Sequence, residues 1–266
     1  MTDVFQPPPA FFEFRIVRPL GKGAMGEVFL ADDEVLGRQV AIKFVREADR
    51  PEMRARFLLE ARALARLSHP NVVTVHRVGE VLGRPFIVSE WIKGKSLDQW
   101  PLPLEPSLVL RVALQLARAL AAVHRAGVLH RDIKPANVLL SESLDLKLVD
   151  FGVSAGFAAV EASAPRNDSL AQTQPLPAAV DSSPVRRALL QVGTPLYAAP
   201  ELLAGEPGTR LSDLYAWGAL VYEVSTGHPP HQGATLDELR TKAASGSFAP
   251  LTDGPVELIR AVHASL

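Results

Sequence analysis

The run His130-Arg131-Asp132-Ile133-Lys134-Pro135-Ala136-Asn137-Val138-Leu139-Leu140 constrains this chain more than any other stretch. It sets a carboxylate, an ammonium and an amide within six residues, pins them with a proline and runs into an apolar strand. Upstream, Pro106 to Ala126 has the spacing of an amphipathic helix and stops at Gly127, which suits a left-handed cap. The residue types on the loop suit phosphoryl transfer from a metal–nucleotide complex. Asp132 can accept a hydroxyl proton, Lys134 can neutralise the transferred phosphate, and Asn137 offers a neutral oxygen to a hard cation such as Mg²⁺. The competing reading is an ordinary charged surface loop in front of a strand.

Composition sets outer bounds. With 266 residues the chain can bury one large core or two lobes. A formal net charge of −1 gives no general attraction to nucleic acid or anionic membrane. The absence of cysteine removes disulfides and thiolate metal sites. No uninterrupted apolar run reaches the roughly 18 residues of a membrane span, and the amino terminus lacks a basic-then-apolar leader. A cytoplasmic location is the default expectation.

Prolines gather at the amino terminus, where Pro7-Pro8-Pro9 predicts a disordered tail over residues 1–12. From Phe12 the pattern becomes strand-like and reaches Leu20-Gly21-Lys22-Gly23-Ala24-Met25-Gly26-Glu27-Val28. Three glycines between apolar strands let the backbone turn tightly and bring N–H groups close to phosphate oxygens. A strand rather than a helix follows, which separates this loop from a dinucleotide fingerprint. The next strand, Gln39 to Val45, carries Lys43 inside an apolar run, and a lysine there must snorkel outward or find a buried anion. Asp49-Arg50-Pro51 reads as a helix start, and Phe57, Glu60, Leu64 and Leu67 then share one face. An inward carboxylate at Glu60 calls for a cation, and Lys43 is the available one. His69 reads as a structural turn residue. Regular patterning stops after Pro85 to Ser89, at Glu90-Trp91-Ile92-Lys93-Gly94, which reads as a hinge about residues 90–94.

Asp150-Phe151-Gly152 follows eighteen residues after Asp132, beyond a strand hairpin. Asp150 reads as a second oxygen ligand for the cation, roughly opposite Asn137. Residues 154–190 turn to Ala, Ser, Pro, Thr and Gln with little periodicity, a composition that does not offset ordering entropy. Leu211 to about Thr226 is apolar enough to be a buried central helix. Asp213, near its start, is read as bracing the backbone around His130 and Arg131. Short helices are expected near Leu236 to Ala244 and from about Pro255.

Taken together and in this order, these motifs resemble those of eukaryotic-like, Hanks-type Ser/Thr protein kinases from about Phe14 to Leu266. Asp132-Ile133-Lys134 is similar to the Ser/Thr class rather than the tyrosine class, and Gly23-Ala24-Met25-Gly26 to the bacterial branch. The resemblance implies an α+β, two-lobed fold. A small antiparallel-sheet lobe with one helix would span 13–90, a mainly helical lobe 91–266, and a long activation segment 150–201. ATP and Mg²⁺, with Mn²⁺ as a substitute, are the implied cofactors, and protein Ser/Thr hydroxyls the implied acceptors. Leu20, Gly21, Gly23, Gly26 and Lys43 would then surround the phosphates. Backbone groups of Glu90 and Ile92 would hold adenine, with Val28, Ala41 and Leu139 against its ring and small Ser89 behind it. The resemblance assigns catalysis to Asp132, Lys134, Lys43 and Glu60, and metal binding to Asn137 and Asp150.

It also implies that Gly193 to Glu201 docks substrate, with Thr194 near Asp132 and Lys134, and that Arg131 reads a phosphate on the activation segment. Thr173, Ser182 and Ser183 are the candidates there, and a dimer is the arrangement for autophosphorylation. No nucleic-acid or membrane contact is expected of this segment. Two departures stand out. The 152–193 segment is longer than in the family, and the chain stops before the arginine that would pair with Glu201. A kinase-like scaffold without catalysis and a small-molecule kinase remain alternative readings; Ala199-Pro200-Glu201 speaks against the latter.

Overall fold

A computed structural model describes residues 6–23, 26–45, 59–151, 195–233 and 235–266. The chain forms two compact units. The first comprises residues 1–99, 115–128 and 136–149, and the second 100–114, 129–135 and 150–266.

The first unit is built on a six-stranded antiparallel sheet in the order β1-β2-β3-β4-β6-β5. Its strands are β1 (Ala10–Phe11), β2 (Phe14–Gly23), β3 (Gly26–Asp33), β4 (Arg38–Val45), β5 (Val75–Val81) and β6 (Arg84–Glu90). Successive side chains of a strand point to opposite faces, and this sheet uses the two faces differently. Val40, Ile42, Phe44, Phe86 and Val88 are fully buried on one face, with Phe11 and Phe14 packed among them. The rings of Phe11, Phe44 and Phe86 lie 5.2–6.1 Å apart, and the core of this unit is chiefly aromatic.

Phe11 corrects one expectation. The tail read over 1–12 gives way to sheet at Ala10, because Phe11 pairs with Phe14 and is buried, a gain no proline-rich coil offers. The turn between β3 and β4 is tied by Asp33, which is buried and accepts from the Leu36 N–H at 3.0 Å and Arg38 Nε at 3.2 Å. That anchor fixes a register in which Val28 lies opposite Lys43.

Residues 59–65 are helical, α1, with Ala61 and Leu64 buried. The start of that helix and Phe57 lie outside the described residues. A second, three-stranded antiparallel sheet joins β7 (Gly94–Ser96), β8 (Val138–Ser141) and β9 (Leu146–Leu148) in that order. The helix α2 (Pro106–Arg125) is the one described helix long and apolar enough to cross a membrane by length and composition. Here Val112, Leu116, Ala119, Leu120 and Val123 form a buried stripe, with Arg111 and Arg118 exposed, as in an amphipathic core helix.

The second unit is mainly helical: α3 (Pro200–Leu203), α4 (Arg210–Thr226), α5 (Leu236–Ser245) and α6 (Val256–Ser265). As the apolar composition predicts, α4 is buried on nearly every side, from Asp213 through Val224. It starts on a capping box between Thr209 and Ser212 and ends at Gly227 with φ of 88°. Trp217 donates from its indole N–H to the Ala113 carbonyl at 3.0 Å, so its one polar atom is satisfied inside the core.

Candidate active site

In the first unit, the register of the large sheet selects which side chains share a face. Val28 and Ile87 stand opposite Lys43, and Ser89 opposite Ala41. Directly opposed residues project to the same side, away from the Phe44 core. Val28, Ala41, Lys43, Ile87 and Ser89 therefore line one half-buried face. At its margin lie Leu20, Gly21 and Gly23 on β2, all exposed. Among the described residues, a β-carbon added at Gly21 or Gly23 would meet no atom within 4 Å. Gly26 is different. Its φ is +148°, and a β-carbon there would lie 2.0 Å from the Phe44 carbonyl oxygen. It is glycine because β3 and β4 approach each other at that point.

Glu60 lies half-buried on α1, one residue before fully buried Ala61. At the end of β6, the Glu90 N–H donates to the Thr74 carbonyl at 2.9 Å. Glu90 Oε1 accepts from the Thr74 N–H at 2.8 Å and from Lys147 Nζ at 2.6 Å. Burial pushes the Glu90 carboxyl up, but the Lys147 ammonium and the Thr74 N–H together outweigh it and hold the group below the usual carboxylate range. Ile92 and Leu139 are half-buried, the latter on β8 opposite Lys147. Asn137 is buried at the end of a 3₁₀ turn, Pro135–Asn137, and its carbonyl accepts from the Val149 N–H at 3.0 Å.

In the second unit, Lys134 Nζ lies 2.8 and 3.0 Å from the two Asp132 carboxylate oxygens, and both side chains are mostly buried. The loop carrying them is fixed from below. Asp213 Oδ2 accepts the His130 N–H at 2.9 Å and Oδ1 the Arg131 N–H at 2.8 Å, the bracing read from the sequence. His130 is fully buried; its Nδ1 accepts from the Asp132 N–H at 3.3 Å, and its ring sits 4.7 Å from that of Phe151. Two non-glycine residues here have left-handed backbones, Arg131 with φ of 64° and Asp150 with φ of 57°. Such conformations are uncommon outside glycine and persist where surrounding structure imposes them.

Downstream, Glu201 Oε1 accepts from the Ser212 hydroxyl at 2.6 Å, so the carboxylate expected to seek an arginine is bonded to the α4 cap. The Tyr197 hydroxyl donates to Glu223. Burial pushes the Glu223 carboxyl up against the opposing pull of that bond. Thr194, Gly152 and the candidates Thr173, Ser182 and Ser183 lie outside the described residues.

The protein kinase domain family matches residues 14–254. The chain belongs to that family. Among curated relatives, this kinase chain is 36% identical over 256 residues to the serine/threonine-protein kinase pkn2 of Myxococcus xanthus, which covers 94% of the chain and 28% of the relative. It is 39% identical over 223 residues to the probable serine/threonine-protein kinase SCO3848 of Streptomyces coelicolor, covering 80% of the chain and 30% of the relative. It is 31% identical over 234 residues to the serine/threonine-protein kinase PrkC of Bacillus subtilis, covering 86% and 33%. This is a Hanks-type kinase sequence of the bacterial branch, and it spans about a third or less of the length of these relatives. A crystal structure of Rad53 1–466 in complex with AMP-PNP shares the fold, with a TM-score of 0.67 and 24% identity over 93% of this chain and 57% of that one.

Two features of this kinase chain escaped the sequence reading. One is the clamp around Asn71, whose side-chain amide donates to Gln115 Oε1 and to the Leu146 carbonyl, both at 3.0 Å. The other is the Glu90–Lys147 pair. The signal for the latter was available: Lys147, like Lys43, is a lone lysine in an apolar strand and had to find an anion.

Proposed function

We propose that this chain is an ATP-dependent protein kinase domain that transfers the γ-phosphate to protein Ser/Thr hydroxyls. The observation that carries the reading is the Asp132–Lys134 pair, held on a loop whose backbone is tied to the buried Asp213 carboxylate. A carboxylate fixed in this way can orient an acceptor hydroxyl and take its proton, and the adjacent ammonium can offset charge on the transferred group.

The other residues take roles in the same reaction. Lys43, supported by Glu60, binds phosphate oxygens, and the backbone at Gly21, Gly23 and Gly26 approaches them closely. The edge of adenine meets backbone groups of Glu90 and Ile92, with Val28, Ala41 and Leu139 against the ring. The oxygens of Asn137 and Asp150 are the hard donors that Mg²⁺ takes, with Mn²⁺ the next candidate. When bound, such a cation supplies charge neutralisation on the phosphates. Phosphorylation within 163–183, read by Arg131, would regulate the enzyme, through a dimer in which one copy modifies the other. An ATP-dependent reaction fits the cytoplasmic location expected of the domain.

Incubation with labelled ATP, Mg²⁺ and a generic basic protein tests this reading. Label on Ser or Thr of the substrate, absent with Asp132→Asn, is the expected result. Equal labelling by wild type and Asp132→Asn would overturn it.

A further inference from the structure

The Glu90–Lys147 pair joins two parts of the first unit that are far apart in sequence. Glu90 ends β6, and Lys147 is the middle residue of β9, the strand leading toward Asp150. Between them runs the segment 71–74. The Val73 N–H donates to the Leu148 carbonyl at 3.0 Å, and the Leu148 N–H to the Asn71 carbonyl at 2.9 Å. Lys147 Nζ also reaches the Val72 carbonyl at 3.5 Å, while Thr74 exchanges two hydrogen bonds with Glu90, one to its backbone and one to its carboxylate. One ammonium and one carboxylate thus close a continuous hydrogen-bonded path from β9 to the end of β6.

The pair is well placed to be strong. Lys147 and Glu90 are only 19% and 26% exposed, and their N–O distance of 2.6 Å is that of a charge-assisted bond. The carboxylate oxygen that takes the ammonium also takes the Thr74 N–H, so the side chain has little freedom to turn. A surface ion pair of this length with both groups in water would contribute little. Here each long side chain is tethered at a backbone that cannot shift without breaking the ladder beside it.

We propose that Lys147 is a positioning residue for nucleotide binding, acting through Glu90 to hold the end of β6 against the 71–74 segment and β9. The inference rests on the proposed ATP function, in which the backbone at Glu90 and Ile92 meets adenine. Lys147 itself need touch no nucleotide. Its removal lets the Glu90 side chain turn and the β6 end drift, and the cost falls on binding rather than on the transfer step.

The test is a double-mutant cycle with Lys147→Met and Glu90→Gln, reading the Kd for Mg-ATP by calorimetry and KM against kcat. Melting without nucleotide confirms folding; Glu90→Gln keeps an acceptor for the Thr74 N–H and carries the test if Lys147→Met does not fold. Each single variant is expected to weaken nucleotide binding about tenfold, equivalent to about 1.4 kcal/mol. The double variant should be no weaker than either, since both remove one interaction, with kcat changed less than about threefold. Lys147→Arg should restore binding to within about twofold of wild type, because its guanidinium can bond the same carboxylate. Nucleotide affinity unchanged in the folded single variants, or losses that multiply in the double variant, would overturn the inference. Wild-type protein that binds no Mg-ATP would instead overturn the proposed function.

Discussion

The Asp213 carboxylate accepts the Arg131 backbone N–H at 2.8 Å, and Arg131 is held with φ of 64°. The second Asp213 oxygen takes the His130 N–H at 2.9 Å, so one buried side chain satisfies two consecutive amides of the loop that carries Asp132. A left-handed arginine is unfavourable in an unsupported chain, and two charge-assisted bonds are what offset it here. Asp213→Asn keeps the shape but can accept only one of these bonds and turns an NH₂ toward the other donor. The expected loss is about 2–4 kcal/mol of stability, visible as a lowered melting temperature. Phosphate transfer should fall at least about tenfold, with nucleotide affinity much less affected, since the amides that move carry Asp132.

Asp132 carries the sharpest chemical prediction. Asp132→Asn preserves a partner for Lys134 in shape but cannot accept a proton at neutral pH. Transfer to a protein substrate should fall by about 10²–10⁴, the usual worth of a general base, while Mg-ATP affinity stays near wild type. Single-turnover measurement with saturating nucleotide separates the two. A variant that turns over at the wild-type rate would remove Asp132 from the proton-accepting role.

Much of this arrangement was legible in the sequence because its signals are local. The glycine loop, the lone lysine of β4 and the polar run before β8 each hold the residue types of their proposed chemistry within a few positions. Asp213 was legible too, as a carboxylate opening an otherwise apolar helix. What stayed hidden depends on which distant segments meet. Phe11 sits next to a proline tract that suggests coil, and only the aromatic core around Phe44 and Phe86 gives it somewhere to go. Glu201 pairs with Ser212, a contact between two segments that no local pattern announces. The left-handed backbones of Arg131 and Asp150 have no sequence signal at all, since neither residue is glycine or lies in a recognisable turn.

The glycines at the β2–β3 turn separate fold from function. Gly26→Ala places a β-carbon 2.0 Å from the Phe44 carbonyl oxygen at a φ of +148°, where an L side chain is strained in any case. It should destabilise the protein by more than about 2 kcal/mol, with a correspondingly lowered denaturant midpoint. Gly21→Ala meets nothing within 4 Å among the described residues. Its melting temperature should stay near that of wild type, and its effect should be confined to a raised KM for ATP, because the new methyl occupies space open to the phosphates. A Gly21→Ala protein with unchanged KM would argue against phosphate lying beside that backbone.

His231 supplies the last test, of stability rather than catalysis. It is 2% exposed, and neither ring nitrogen has a hydrogen-bond partner among the described residues. Its ring stacks against Tyr215 at 6.4 Å and meets Phe248 edge-on at 6.1 Å, an environment that an aromatic hydrocarbon would fill without leaving polar atoms unsatisfied. Burial, with a smaller contribution from Lys242, pushes the His231 pKa down. The folded state therefore keeps the ring neutral while the unfolded chain takes up a proton near its ordinary value of about 6.5. The sign follows from linkage: this stability is present above that value and is lost as pH falls below it. His231→Phe should raise stability by about 1–3 kcal/mol at neutral pH, the cost of a buried polar group left unpaired. The gain should widen between pH 7 and pH 5, because the variant no longer has a proton to exclude. Parallel melts across that range check both claims, and a variant that melts lower than wild type at pH 5 would show that the imidazole contributes something its ring nitrogens do not reveal.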